Sequence, residues 1–159
     1  MKIDILAVGK IKEAYLKDAA AEYAKRLSKY VKINIIEVKD EKTREGASGH
    51  ENDLVKSAEA GRLQQYVDDS AVLIPLCIEG KKMSSEEFAD LITSFENRGE
   101  SHIQFIIGGS LGIDEDLKNR GAIKLSFSDM TFPHQLMRVI VLEQIYRAYR
   151  IKNNEPYHK

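Results

Sequence analysis

This chain has a single cysteine, Cys77, and that scarcity excludes an intramolecular disulfide framework and a cysteine-built zinc cluster. Cys77 lies inside the apolar run Val72 to Ile78, the setting of a buried structural thiol rather than a nucleophile. No apolar run is long enough to cross a bilayer. The opening MKIDILAVGK is charged too early for a secretory signal and reads as a first strand. The expected compartment is therefore the cytoplasm. Excess charge is missing too. The formal net charge is −1, whereas a protein that grips nucleic acid chiefly by counterion release is much more basic. A local basic patch exists all the same: the last thirteen residues carry Arg147, Arg150, Lys152 and Lys159 against Glu155. A solvated helix end would explain the same charges, because cations favour a helix carboxyl terminus. Internal repeats and low-complexity tracts are absent.

What is present is the balance of one globular domain spanning residues 1–159. Hydrophobic residues make up 43% of the chain and charged residues 31%. Strands and helices alternate. Ile3 to Val8 reads as a strand, and Glu13 to Leu27 carries Tyr15, Leu16, Ala19, Tyr23 and Leu27 at helical spacing. Val31 to Val38 is a second strand, Lys39 to His50 a polar loop, and Glu51 to Tyr66 a helix with a thin apolar stripe. Ala71 to Ile78 and His102 to Ile107 are continuous apolar runs, the mark of strands covered on both faces. Ser84 to Glu87 has the form of a capping box and starts a helix to about Phe95. Asp114 can cap a short helix through Lys118, Ala122 to Ser126 is a strand, and Pro133 to Ile151 is the last helix. This alternation predicts an α/β fold with a mostly parallel central sheet. The last helix carries apolar residues round most of its circumference, among them Leu136, Val139, Ile140 and Leu142. Such a helix must be buried nearly all round. One face is expected on the sheet and another on a second copy of the chain; a central helix in a monomer is the alternative.

Ligands in parallel sheets sit at the carboxyl ends of strands. Three such ends are suggestive: Ile78-Glu79-Gly80, Gly108-Gly109-Ser110-Leu111-Gly112, and Phe127 to Phe132. All lie in the second half of the chain, so the ligand site is expected there. The last of them is rich in small hydroxyls and backbone donors beside a helix N-terminus, which suits a polar small molecule. On these residues alone a well-capped turn explains it equally well. The glycines permit close approach of a ligand to the backbone, but they match neither the P-loop nor the dinucleotide fingerprint. They do fit G-x-S-x-G, the nucleophile elbow, with Ser110 as nucleophile and Asp129 and His158 or His134 as partners. The chain is short for the frame that carries that motif. The histidines His50, His102, His134 and His158 have no ligand spacing, so no metal is expected.

Four blocks then resemble one known family. They are KIDILAVGKIKE, IIGGSLG, LSFSDMTFPHQLMRVIVLEQIYRAYRI and the tail EPYHK. Together they resemble RlmH, the bacterial large-subunit rRNA pseudouridine methyltransferase family of the SPOUT class, over essentially the full length. The resemblance implies a SPOUT-type α/β domain whose C-terminal part is tied in a deep trefoil knot. It implies that S-adenosylmethionine binds there in a bent shape, that the protein works as a homodimer, and that the product is N3-methylated pseudouridine in 23S rRNA, made on the assembled ribosome. The cofactor contacts it implies are Leu76, Gly108, Phe127, Ser128, Asp129, Met130, Thr131 and Phe132. These coincide with the three strand ends, except that Leu76 precedes its end. Ser110 falls at a variable position of the family, which weakens the nucleophile reading.

Methyl transfer from a sulfonium rests largely on positioning. The imide N3 of pseudouridine is a poor nucleophile until deprotonated, so a general base or imidate-stabilising donors are expected beside it. His158 is the first candidate and His134 the second. Tyr157 could stack on the base, and Arg138 could meet phosphate or a base carbonyl. Local capping is the alternative for His134, and a disordered tail the alternative for Tyr157 and His158. In a dimer the tail of one subunit could complete the pocket of the other. A small serine hydrolase using Ser110 and a noncatalytic RNA-binding module are the competing functions.

Overall fold

The computed structural model describes residues 1–159. Ten elements follow one another: β1 Lys2–Val8, α1 Ala14–Leu27, β2 Lys32–Val38, α2 Gly49–Gln64, β3 Val72–Lys82, α3 Ser85–Asn97, β4 His102–Ile107, α4 Glu115–Asn119, β5 Leu125–Ser126 and α5 His134–Lys152. The strands form one five-stranded sheet in the order β2-β1-β4-β3-β5. Every pairing in it is parallel. The expected α/β architecture is therefore the observed one.

The period of two along each strand divides the core between two faces. Ile3, Ile5 and Ala7 of β1, with Ile103, Phe105 and Ile107 of β4, face α1, α3 and α5. Leu6, Val8, Leu73 and Ile106 face α2 and α4, packing on Ala60, Leu63, Ile113 and Leu117. Both sides of β1 and β4 are covered, which is why their sequences read as unbroken apolar runs. No helix is long and apolar enough to cross a membrane.

Helix starts follow local chemistry. The capping box is made as expected: the Ser84 N–H donates to Glu87 Oε2 at 2.7 Å and the Glu87 N–H to Ser84 Oγ at 3.1 Å. Ser48 caps α2, which starts at Gly49 rather than Glu51. Asp114 caps α4 by accepting from the Asp116 and Leu117 N–H groups. Pro133 is not the first helical residue. Its ψ of 133° places it just outside α5, which begins at His134.

Two strands differ from their expected extents, for one reason. β3 continues past Ile78 to Lys82 although Glu79 to Lys82 is polar, because Lys81 and Lys82 pair with Leu125 and Ser126. The segment predicted as a strand from Ala122 keeps only Leu125 and Ser126 in β5. A register break separates that pairing from the contact of Leu76 with Leu125. Here two backbones pass very close. A Cβ at Gly80 would lie 2.7 Å from the Leu125 carbonyl carbon, and one at Gly121 would lie 2.3 Å from Pro75 Cδ. Glycine is required at both crossings.

α5 lies across α1 and α3. It buries Val141, Leu142, Ile145, Ala148 and Tyr149, while Leu136, Val139 and Ile140 near its start stay half-buried. Its first turns are tied to the sheet by Arg138, which is 0% exposed. Arg138 donates to Glu37 Oε2 of β2 at 2.6 Å and to the Val8 carbonyl at the end of β1 at 2.7 Å.

Candidate functional site

A cavity of about 370 Å³ opens at the carboxyl ends of β3, β4 and β5. That is the size range of small-molecule sites. All three strand ends singled out from the sequence line it. Of the candidate cofactor contacts, Leu76, Gly108, Phe127, Ser128, Met130, Thr131 and Phe132 are on its walls. Asp129 is not: its carboxylate is largely exposed and pairs with Lys82.

Backbone builds one wall. A Cβ at Gly108 would lie 2.6 Å from the Gly112 carbonyl carbon, so no larger residue fits without moving the loop. Gly112 has φ of +88°, and its N–H closes a tight turn onto the Gly109 carbonyl at 3.0 Å. Gly109 backs onto Glu59, whose carboxylate oxygens lie 3.0 and 3.2 Å from where a Cβ would sit. Glu59 is buried, and burial holds its carboxyl pKa above the usual range. The opposite wall is the 127–132 loop. Phe127 packs edge-on against Phe88 with ring centroids 6.2 Å apart. The Met130 N–H donates to Ser128 Oγ at 2.9 Å, shaping the turn, while the Met130 side chain is 73% exposed at the rim.

His134, at the start of α5, lines the same cavity. Its imidazole sits over Gly9, with Nε2 3.5 Å from that glycine's ideal Cβ position. Burial, then the nearby Arg138 charge, lowers its pKa, so the ring is held neutral at neutral pH. A neutral imidazole can accept a proton.

Arg138 does not reach the cavity. Its fully buried guanidinium is spent on Glu37 and Val8, so the expectation that it meets phosphate or a base is replaced by a structural tie. Of the Ser110 constellation only His134 shares the cavity with the serine. Asp129 turns to Lys82, and His158 bonds Arg147 and Glu86.

The tail is ordered against α5. Asn154 takes a left-handed φ of +53°, which turns the chain back. The Tyr157 hydroxyl donates to Glu143 Oε1 at 3.1 Å, and Arg147 donates to the same oxygen at 2.5 Å. The Arg147 guanidinium also covers the Tyr157 ring at 4.7 Å and meets His158 Nδ1 at 3.2 Å. His158 Nε2 lies 2.8 Å from Glu86 Oε1. Burial, with hydrogen bonds to Tyr23 and Glu143, pushes the Tyr157 phenol pKa up, so it stays protonated. Tyr157 and His158 do not line their own chain's cavity. A smaller hollow of about 210 Å³ shares Phe127 and Phe132 with the cavity and reaches Ile140 and Gln144 of α5.

Residues 1–158 match the family model described as "Predicted SPOUT methyltransferase". The chain belongs to the SPOUT methyltransferase family. It is 55% identical over all 159 residues to a protein of Bifidobacterium adolescentis named ribosomal RNA large subunit methyltransferase H, with both chains covered in full. Proteins of the same name from Clostridium kluyveri and Clostridium botulinum are 52% and 54% identical, again at full length. Among solved structures, a probable methylase family protein from Haemophilus influenzae aligns with a TM-score of 0.60, covering 99% of this chain and 70% of that one. At 14% identity that likeness speaks for the fold alone.

In this SPOUT methyltransferase the strand ends singled out from the sequence share one cavity, while several side chains at that cavity and at the tail were not singled out. Glu143 and Arg147 are the side chains that hold the tail, and their i,i+4 spacing was the available signal. Glu86 reads from sequence only as a capping-box neighbour. Lys118 and Glu79 form an ion pair on the cavity wall that no local pattern announces.

Proposed function

We propose that this chain transfers a methyl group from S-adenosylmethionine to N3 of a pseudouridine in large-subunit (23S) ribosomal RNA. The target is the assembled ribosome, the compartment is the cytoplasm, and the working unit is a homodimer with a knotted C-terminal half. The observation that carries the reading is the cavity between the glycine loop and residues 127–132, in a chain whose full-length relatives are named for this class of reaction. The close crossings at Gly80 and Gly121 are what a chain threaded through its own loop needs.

The residues present fit the donor. Gly108 lets the Gly112 backbone close against it where a Cβ could not stand, and this packed glycine turn gives the cavity a backbone wall against which a flat heterocycle can lie. Leu76, Phe127 and Phe132 supply apolar contact. Serine and threonine hydroxyls and the backbone of the 127–132 loop supply polar contact. S-adenosylmethionine brings an electrophilic methyl group on a positively charged sulfur. The protein's own tasks are to orient the base, exclude water and remove the N3 proton as the methyl arrives. His134 lines the cavity in the neutral form and can take that proton. His158, the first candidate from the sequence, is the other. It would act from the partner, because it does not line its own chain's cavity. Tyr157, with Arg147 over its ring, offers a face on which an unstacked base can rest. The half-buried Leu136, Val139 and Ile140 of α5, with the hollow beside Phe132, offer the apolar surface on which two copies would meet.

Labelled S-adenosylmethionine, incubated with intact ribosomes and separately with free 23S rRNA, tests this. The expected result is label in ribosomes, little in free RNA, and loss of label with a chain ending at Asn154. Donor binding without label in either RNA would leave a noncatalytic binder instead. Full activity of the shortened chain would remove Tyr157 and His158 from the chemistry.

A further inference from the structure

We infer that Lys118 and Glu79 clasp the amino-acid end of the methyl donor, the Lys118 ammonium holding its α-carboxylate and the Glu79 carboxylate its α-ammonium. The inference rests on the donor reading above. The donor has one part that carries two opposite charges side by side, and the cavity wall carries one such pair in direct contact. Both Lys118 and Glu79 line the cavity, and Lys118 Nζ donates to Glu79 Oε1 at 2.5 Å. Lys56, also on the wall, pairs instead with Asp53, which does not line the cavity.

The arrangement leaves room for a ligand. An ammonium has three donors. Lys118 gives two, to Glu79 and to Glu115 Oε1 at 2.8 Å, so a third remains. Glu115 keeps the lysine charge compensated if Glu79 turns toward a bound ammonium. The lysine is placed by the fold, since α4 is pinned by fully buried Leu117 and by the Asp114 cap. Lys118 is itself buried, 7% exposed, where a charge-assisted hydrogen bond is less screened than at the surface. Burial alone would lower the Lys118 pKa, but its bonds to Glu115 and Glu79 more than offset this, so the ammonium persists. Glu79 is 58% exposed at the side chain, free to swing and cheap to alter.

Two ligands isolate the clasp. S-adenosylhomocysteine and 5′-methylthioadenosine share the adenosine and the thioether, and only the first carries the amino acid. Calorimetry on the full-length chain should find that Lys118→Met weakens S-adenosylhomocysteine by about tenfold or more while methylthioadenosine changes by less than about twofold. Glu79→Gln should give the same pattern, and because Glu79 is exposed this variant keeps its fold, which a thermal melt checks for both. Equal weakening of both ligands, or no weakening of either, overturns the clasp. Wild-type protein that binds the two equally tightly also overturns it while leaving the donor reading intact. Wild-type protein that binds neither ends the donor reading, and the clasp with it.

Discussion

The glycine-loop cavity and the C-terminal tail are built on opposite principles. The cavity is shaped by backbone at Gly108, Gly112 and the 127–132 loop, where the decisive property is the absence of side-chain atoms. The tail is held mainly through side chains: Glu143, Arg147, Tyr157, His158 and Glu86 bond one another in one chain of contacts, and Arg150 grips the Glu155 carboxylate and the Pro156 carbonyl. A region made of backbone fails when atoms are added. A region made of charges fails when one is removed. The first suits a ligand that must be seated, the second a proton or an RNA base that must be steered.

α5 joins the two, with His134 and Met137 on the cavity and Glu143 and Arg147 on the tail. Its tie to the sheet is Arg138 with Glu37, so breaking that tie tests whether the regions depend on a common anchor. Glu37→Ala leaves a fully buried guanidinium without its carboxylate and should cost roughly 3 kcal/mol in urea unfolding. Full stability in this variant would mean that α5 is held by its apolar contacts alone.

Gly108→Ala sharpens the contrast. The added Cβ meets the Gly112 backbone, so donor affinity measured by calorimetry should fall roughly tenfold to a hundredfold, from an overpacking cost of about 1–3 kcal/mol. His158→Gln should leave that affinity unchanged and lower methyl transfer instead. A donor affinity that responded to both would erase the distinction.

The smallest effect is electrostatic, at the back of the cavity. Burial raises the Glu59 pKa in the folded state, so its charge costs stability at neutral pH. That cost fades as pH falls from the raised folded-state value toward the unfolded carboxyl value of about 4.3, below which both states are protonated. Glu59→Gln should therefore melt higher than wild type at pH 7 and level with it near pH 4. A variant that melted lower at pH 7 would make Glu59 a needed acceptor for the Glu41 N–H rather than a burden.

The same contrast decides what the sequence discloses. The cavity is legible because its parts are local: a run of glycines after a buried strand, and a polar loop before a helix. The buried strands are legible because both faces of β1 and β4 are covered. β3 beyond Ile78 and the brevity of β5 are not, since they follow from pairing between residues more than forty apart. The tail is the hardest case. Its order depends on Glu86 and Glu143, and Glu86 lies 72 positions from His158. Arg138 misleads for the same reason: its position in α5 suggests reach toward a ligand, and only the fold discloses Glu37 beneath it.

The central claim is that one protomer's cavity and its partner's tail make a single reaction site. Co-expressing a Gly108→Ala chain with a chain ending at Asn154 tests it directly, with methyl incorporation into ribosomes as the readout. With the donor held below its wild-type Kd, each variant alone should be nearly inactive. Random pairing gives half of the dimers one intact cavity facing one intact tail, so the mixture should recover about a quarter of wild-type activity. A mixture no more active than its parts would contradict the account.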